Sequence, residues 1–311
     1  MEYLSLRQLL VLTARSRKYA KRPRPLIRIA QQAPAEPLVS VIIATYNWSS
    51  VLRLAIHSVL WQTLQDFEII VAGDGCTDDS EDVVQSFGDA RIRWHNLPVN
   101  HGHQTPANNA GLRLARGRYI AYLGHDDIWH PEHLMTLVDA ATRATAHFAS
   151  SLVEMIGPEG SHYREVGGVF PWFGYKGAQG LPISGVLHRR DVIDRIGEWK
   201  DYRIVWRNPD VDFVFRAAEA GMKFVSTGEM TAFKFNSSIR KNCYIERPCV
   251  EQKLYIQRIQ SEPEFMWREV LALARVSLRR KRPVLPKVPA PPHPHTPGWR
   301  VPFYRKYRGL Q

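Results

Sequence analysis

Cysteine is scarce in this chain of 311 residues, which holds only Cys76, Cys243 and Cys249. An odd, sparse set with no pair at zinc-finger spacing excludes a disulfide framework and a thiolate zinc site. It fits a reducing compartment, with a bridge between Cys243 and Cys249 left open. Long apolar runs are also missing. Nothing approaches the ~18 consecutive apolar residues of a spanning helix. Acidic residues are missing from the C-terminal end, where residues 275–311 carry ten Lys/Arg and no Asp or Glu. Residues 1–36 carry eight Lys/Arg against two Glu. Against a formal charge of +12, ends of +6 and +10 leave −4 on residues 37–274. The chain is an acidic body between two basic ends, and any argument from charge to nucleic acid concerns the ends alone. A hydrophobic share of 44% with 23% charged residues excludes disorder of the whole chain and a collagen-like sequence. The length allows one large domain or two ordinary ones.

Tyr3, Leu6, Leu10 and Ala14 share one helical face, and Arg15, Arg17, Lys18, Lys21, Arg22 and Arg24 follow. A secretory signal has its charge before the apolar stretch, so this order argues against one. An organelle presequence stays open. So do a short helix on an anionic membrane surface and a basic arm in solvent or packed on the body. From Arg279 the chain turns proline-rich, with eight prolines among the twenty residues from Pro283 to Pro302. Such a stretch cannot complete helix or sheet hydrogen bonding and reads as an extended basic tail, residues 279–311. Its Trp299, Phe303, Tyr304 and Tyr307 suit a membrane or an acidic partner better than nucleic acid, and a solubilising tail is the simplest reading.

Between Pro37 and Ala149 strand and helix patterns alternate. VSVIIAT (39–45) and FEIIVAG (67–73) are short, β-branched apolar runs of the kind buried in parallel sheets. RIRWHN (91–96) and YIAYLG (119–124) are two more strands. Helices are expected at 51–60, 79–87, 106–115 and from Pro131. The spacing means βαβ units and a mostly parallel sheet flanked by helices. In such sheets ligands sit at the carboxyl ends of the strands. Three of those ends are loaded with polar chemistry: Thr45-Tyr46-Asn47, Asp74 to Asp79, and His125-Asp126-Asp127. Acids gathered there need a cation, hydrogen-bond donors or open solvent. Asp78 or Asp79 reads as a helix cap, and His130 and His133 as a surface helix start. The aromatic segment 169–177, with Trp199 and Trp206, reads either as a flat stacking surface for a ligand or as an exposed loop folded over the core.

VSVIIATYN, AIHSVLWQTLQDFEIIVAGDGCTDDS and NNAGLRLARGRYIAYLGHDDIWHPEHL together resemble the family 2 glycosyltransferases. A weaker continuation runs through SGVLHRRDVIDRIGEW (184–199) and PDVDFVFRAAEAGMKFV (209–225). The resemblance implies a GT-A type, Rossmann-like fold, a nucleotide-diphosphate sugar donor (a UDP-sugar first) and Mn2+ or Mg2+. Carried over by position, Ala44, Tyr46 and Asn47 would line the donor base. Asp74 would accept from the base edge, and Asn108 would stand where the family has a basic donor-loop residue. Asp127 would ligate the metal, and Asp126 would hold the ribose or share the metal. Asp210 would be the general base, with Asp212 as the alternative. Trp172 and Trp199 would meet the acceptor.

Gly73 and Gly124 replace aspartates that the family often has, and His101 or His103 would compensate for Asn108. The QxxRW-like signature of processive synthases is missing. The expectation is therefore an inverting, non-processive transferase acting on a glycan, lipid-linked or cell-surface precursor, as in cell-envelope polysaccharide synthesis. It would work in the cytoplasm, touching the inner membrane face through its basic ends. The rival is a catalytically inactive sugar-nucleotide-binding scaffold. The expected division is an arm (1–36), a GT-A domain (37–245, split near 140 into donor and acceptor halves), a helical segment (246–278) and the tail.

Overall fold

The computed structural model describes residues 26–161, 163–170, 175, 180–278 and 300–310, together with Ser16 and Tyr19. The expected N-terminal helix and most of the proline-rich stretch lie outside the described residues. The first half reads β1 (Val39–Thr45), α1 (Ser49–Leu60), β2 (Phe67–Gly73), α2 (Ser80–Gln85), β3 (Ile92–Asn96), α3 (Gln104–Leu114) and β4 (Tyr119–Tyr122). The second half reads β5 (Ile128–Trp129), α4 (His133–Ala144), β6 (Phe148–Ile156), β7 (Arg164–Gly167), β8 (Val186–Arg189), α5 (Val192–Ile196), α6 (Pro209–Glu219) and β9 (Phe224–Phe235). Helices α7 (Cys243–Glu246), α8 (Val250–Ser261), α9 (Phe265–Leu278) and α10 (Arg300–Tyr307) close the chain.

One sheet runs through both halves in the order β3-β2-β1-β4-β8-β6-β9-β5, with β7 beside β6. Strands β1 to β4 are mutually parallel, and Val39 pairs with Phe67 on one side and Tyr119 on the other. Past β4 the sheet is mixed: β8 runs antiparallel to β4 and β6, and β6 runs parallel to β9.

Alternation along β1 explains its largely apolar run. Val41 and Ile43 pack into a cluster with Leu52, Ile56 and Val59 of α1 and Leu134 and Leu137 of α4. Ile42 faces the opposite side, with Leu112 of α3 and Phe213 and Val214 of α6. Both faces of the strand are covered, and its polar Ser40 is buried with a partner, donating to Glu68 Oε1 at 2.7 Å. Each such side chain contributes about 1.5–3 kcal/mol on burial. A third cluster packs Phe233 and Phe235 of β9 against Tyr255, Phe265 and Met266 of α8 and α9. Arg164 ties α9 to this edge through Glu154 (2.9 Å) and Glu269 (2.6 Å).

Three expectations need correction. Helix α4 begins at His133, after a turn at Pro131 and Glu132. His130 and His133 are buried, not on the surface, and His133 stacks on Trp129 at 4.3 Å. The C-terminal end is not all extended tail. Residues 300–307 form a helix whose single proline, Pro302, falls in the first turn, where its missing N–H costs nothing.

Candidate active site

Because β1, β2 and β4 are parallel neighbours, their carboxyl ends open on one side of the sheet. There lies a cleft of about 390 Å3, lined by Ala44, Tyr46, Asp74, Asp126, Asp210 and Lys234, among others. Asp74, Asp126 and Asp210, more than eighty residues apart at the extremes, share its wall. A second cavity of about 380 Å3, lined by Trp61, Ile259, Phe265 and Met266, holds none of these three acids.

Asp74 organises the loop before α3. Its Oδ1 accepts from the His101 backbone (3.0 Å) and faces His101 Nδ1 (3.0 Å), while Oδ2 accepts from Gly102 N (2.9 Å). Asn47 is spent differently. Its Oδ1 accepts from Thr77 N (2.7 Å) and Asp78 N (3.3 Å), bridging the end of β1 to the acidic turn, and the side chain does not line the cleft. Its φ of 39° is the left-handed conformation that asparagine tolerates. Asp78 is the capping carboxylate, accepting from Ser80 N (3.2 Å) and Ser49 N (3.2 Å), whereas Asp79 makes no side-chain cap bond. Asn108 is buried within α3, away from the cleft wall. His103 cannot supply a replacement charge. Burial pushes it down to about 4, with Arg308 adding to the effect, and it caps α3 as a neutral acceptor from Thr105 N. Cys76 is half-buried, and burial pushes its thiol up to about 11; all three cysteines are free.

The paired aspartates divide. Asp126 faces the cleft, and among the described residues no hydrogen bond reaches its carboxylate. Asp127 lies behind it, 0% exposed. Its oxygens accept from Ser184 Oγ (2.5 Å), Lys234 Nζ (3.1 Å) and Phe235 N (3.1 Å). Asp127, the expected metal ligand, thus stands behind the cleft wall with three donors on its oxygens. Burial works against the charge on Lys234, but Asp127 and then Asp126 hold its ammonium well above its ordinary range. The two glycine departures have steric causes. A Cβ at Gly124 would sit 2.6 Å from Asp127 Oδ2, and one at Gly73 would sit 2.4 Å from Asn96 Oδ1.

Asp210, in the first turn of α6, reaches the cleft; burial raises its carboxyl, with Val211 N and Lys234 opposing. Asp212 is instead paired with Arg216 at 2.8 Å, which leaves Asp210 as the acid on the cleft. Trp199 is only 3% exposed. It stacks on Phe213 at 5.2 Å and donates to Tyr122 Oη at 3.1 Å, so it is a core residue and not an acceptor platform. Trp206, four residues before Asp210, is the exposed indole at 64%. Trp172 lies outside the described residues.

The sequence reading gave no role to Lys234 or Tyr244, named His125 only as part of a polar strand end, and read the basic C-terminal residues as tail. One signal was available for Lys234. It sits between Phe233 and Phe235 on a strand, and two buried phenylalanines put the lysine on the other face. His125 bridges Thr45 Oγ1 (2.9 Å) and Tyr244 Oη (3.1 Å), and burial pushes it down to about 4.

Residues 40–189 match the family model described as Glycosyl transferase family 2. That stretch is similar to the family's domain and takes up a little under half of the chain. The Escherichia coli protein WfaP, a UDP-Glc:alpha-D-GlcNAc-diphosphoundecaprenol beta-1,3-glucosyltransferase, is 40% identical over 92 residues, 30% of this chain and 36% of that one. Across WfaP and other curated relatives, the match spans between 15% and 45% of their length. S. aureus TarS 1–349 in complex with UDP-GlcNAc shares the fold at a TM-score of 0.53, with 16% identity, over 87% of this chain and 90% of that one. The mannosyltransferase PcManGT from Pyrobaculum calidifontis, in complex with GDP-Man and Mn2+, does so at 0.51, with 14% identity, over 88% and 84%. The expected GT-A architecture is therefore the one observed.

Proposed function

We propose that this domain is a glycosyltransferase that moves one sugar from a nucleotide-diphosphate sugar to a hydroxyl of a glycan, lipid-linked or other cell-surface precursor. The convergence of Asp74, Asp126 and Asp210 on one cleft carries the reading. Tyr46 and the loop held by Asp74 would take the nucleoside, and Asp210 the proton of the attacking hydroxyl. A hydroxyl is a poor nucleophile, and a carboxylate raised by burial is a better base at neutral pH while still ionised. One base and one leaving diphosphate suit a single in-line displacement with inversion. Exposed Trp206, four residues before Asp210 in sequence, offers a flat apolar face for an acceptor sugar.

For a divalent cation, the protein's free donor on this cleft is Asp126. Among the described residues no group of three metal-ligating side chains gathers. Nucleotide-bound Mg2+ is commonly held by one or two carboxylates plus the phosphates, so Asp126 fits a cation that arrives with the donor. Bound there, the cation would neutralise charge growing on the departing diphosphate.

WfaP's name specifies UDP-Glc and a diphosphoundecaprenol acceptor, and TarS holds UDP-GlcNAc. Both support a UDP-sugar and an acceptor of the cell envelope. No helix among the described residues is long and apolar enough to cross a membrane. Work at the cytoplasmic membrane face, through the basic ends, is the matching proposal. Binding calorimetry with nucleoside diphosphates and Mn2+, followed by turnover of the corresponding sugars, tests the function. Binding without turnover across donors and acceptors would return the protein to a scaffold role, which closed positions at Gly73 and Gly124 would then explain.

A further inference from the structure

We propose that Arg305 and Arg308, at the C-terminal end of the chain, bind the diphosphate of the nucleotide donor. The assignment rests on the reading of the cleft as a nucleotide-sugar site. Helix α10 and the turn after it form one side of that cleft through Val301, Tyr304, Arg305, Arg308 and Leu310. Two backbone bonds dock this segment on the start of α7: Asn242 N to Tyr307 O and Tyr244 N to Arg308 O, each 3.0 Å. Main-chain contacts thus help to hold this segment against the body of the protein.

Charge accounting points to these two side chains. The cleft wall holds Asp74, Asp126 and Asp210. Lys234 already donates to Asp127. His103 caps α3 as an acceptor from Thr105 N, and burial pushes it down to about 4. Asn108 carries no charge and is buried off the wall. A diphosphate entering this cleft would meet three carboxylates and need cations beyond Lys234. Arg305 and Arg308 supply them.

The geometry supports the role. The Arg308 guanidinium lies 5.6 Å from the Tyr244 ring centroid, and Nε donates to Tyr304 O at 3.1 Å. Among the described residues its two terminal nitrogens make no hydrogen bond and no ion pair. A planar guanidinium held by its Nε, with its terminal nitrogens available, suits phosphate oxygens. Arg305 packs on the loop that Asp74 holds. A Cβ at Gly102 would sit 2.5 Å from Arg305 Nη1, so the guanidinium lies directly against this glycine. Gly102 also donates to Asp74 Oδ2, which sets the arginine beside the expected nucleoside end of the cleft.

The test uses the full-length chain. Wild type, Arg308→Gln, Arg305→Gln and the double variant are titrated by calorimetry with UDP, GDP, CDP, ADP and dTDP, and with the nucleoside of whichever diphosphate binds. Each single variant is expected to lose about tenfold or more in diphosphate affinity, and the double variant more. Nucleoside affinity and melting temperature should stay at wild-type values. Arg308→Lys, which keeps the charge but not the fork, should recover part of the loss. Diphosphate affinity within twofold of wild type in the double variant overturns the assignment alone. An equal loss of nucleoside and diphosphate binding overturns it too, since that is the mark of a collapsed cleft. If wild type binds none of the five diphosphates, the assignment falls together with the reading it rests on.

Discussion

Lys234 Nζ stands 3.1 Å from Asp127 Oδ2, joining the last strand of the sheet to the loop after β4. The carboxylate is fully buried, and the lysine side chain is 30% exposed. Removing the ammonium would leave a buried charge with only Ser184 and the Phe235 amide as donors. Breaking such a pair from one side costs about 3–5 kcal/mol, and the partial exposure of Lys234 places the expectation near the lower end. Lys234→Met should therefore lower urea stability by about 3 kcal/mol. Adding Asp127→Asn should recover much of it. A single variant as stable as wild type would mean that the pair does not hold the loop.

Asp126 and Asp127 are adjacent in sequence but differ in surroundings, so their variants should separate. Asp126→Asn removes the open carboxylate on the cleft. It should weaken Mn2+-dependent diphosphate binding by about tenfold while leaving the melting temperature nearly unchanged. Asp127→Asn should mainly destabilise. Equal metal dependence in wild type and Asp126→Asn, measured by calorimetry with and without Mn2+, would remove Asp126 from the cation site.

Asp210→Asn should lower kcat by about 10²–10⁴-fold while the Kd for the nucleoside diphosphate stays within about twofold. Because burial raises the Asp210 carboxyl, the acid limb of the wild-type rate profile should lie above the ordinary carboxylate range. Normal transfer by the variant would move the base elsewhere.

The parallel half of the sheet was legible because its strands are buried on both faces, and β-branched runs such as VSVIIAT have few other homes. The strand-end acids were legible for the same reason, since topology puts those ends together. What sequence could not supply was the direction each side chain takes within a loop. Asp126 and Asp127 look alike in GHDD, and only packing tells the one on the cleft from the one bonded inside. Trp199 and Trp206 show the same limit. Both are indoles in one loop-rich stretch, yet one stacks under Phe213 and the other is open. The C-terminal arginines were read as tail because their proximity to the cleft is long-range. It depends on two backbone bonds to residues more than sixty positions earlier.

Four desolvated histidines, three buried and His103 half-buried, give the fold an acid sensitivity whose sign can be worked out. Burial pushes His103, His125 and His188 down to about 4 and His133 to about 3. Unfolded, each would titrate near 6.5. Between those values the unfolded chain binds more protons than the folded one. Their share of stability is therefore complete above about pH 6.5 and is lost as pH falls toward 4. Each can contribute a slope of up to about 1.4 kcal/mol per pH unit in that window. His188 gives the cleanest test, because it lies outside the cleft and its tautomer is fixed. Its Nδ1 donates to Arg189 O at 2.7 Å, so Nε2 accepts from Tyr122 Oη at 3.1 Å. Tyr122 Oη in turn accepts from Trp199 Nε1, and protonating Nε2 would set two donors against each other. His188→Gln keeps a donor and an acceptor but does not titrate. Its stability between pH 6.5 and 4.5 should fall less steeply than wild type by about 1 kcal/mol per unit. Equal slopes for the two proteins, in urea titrations across that range, would show that His188 accepts its proton without unfolding.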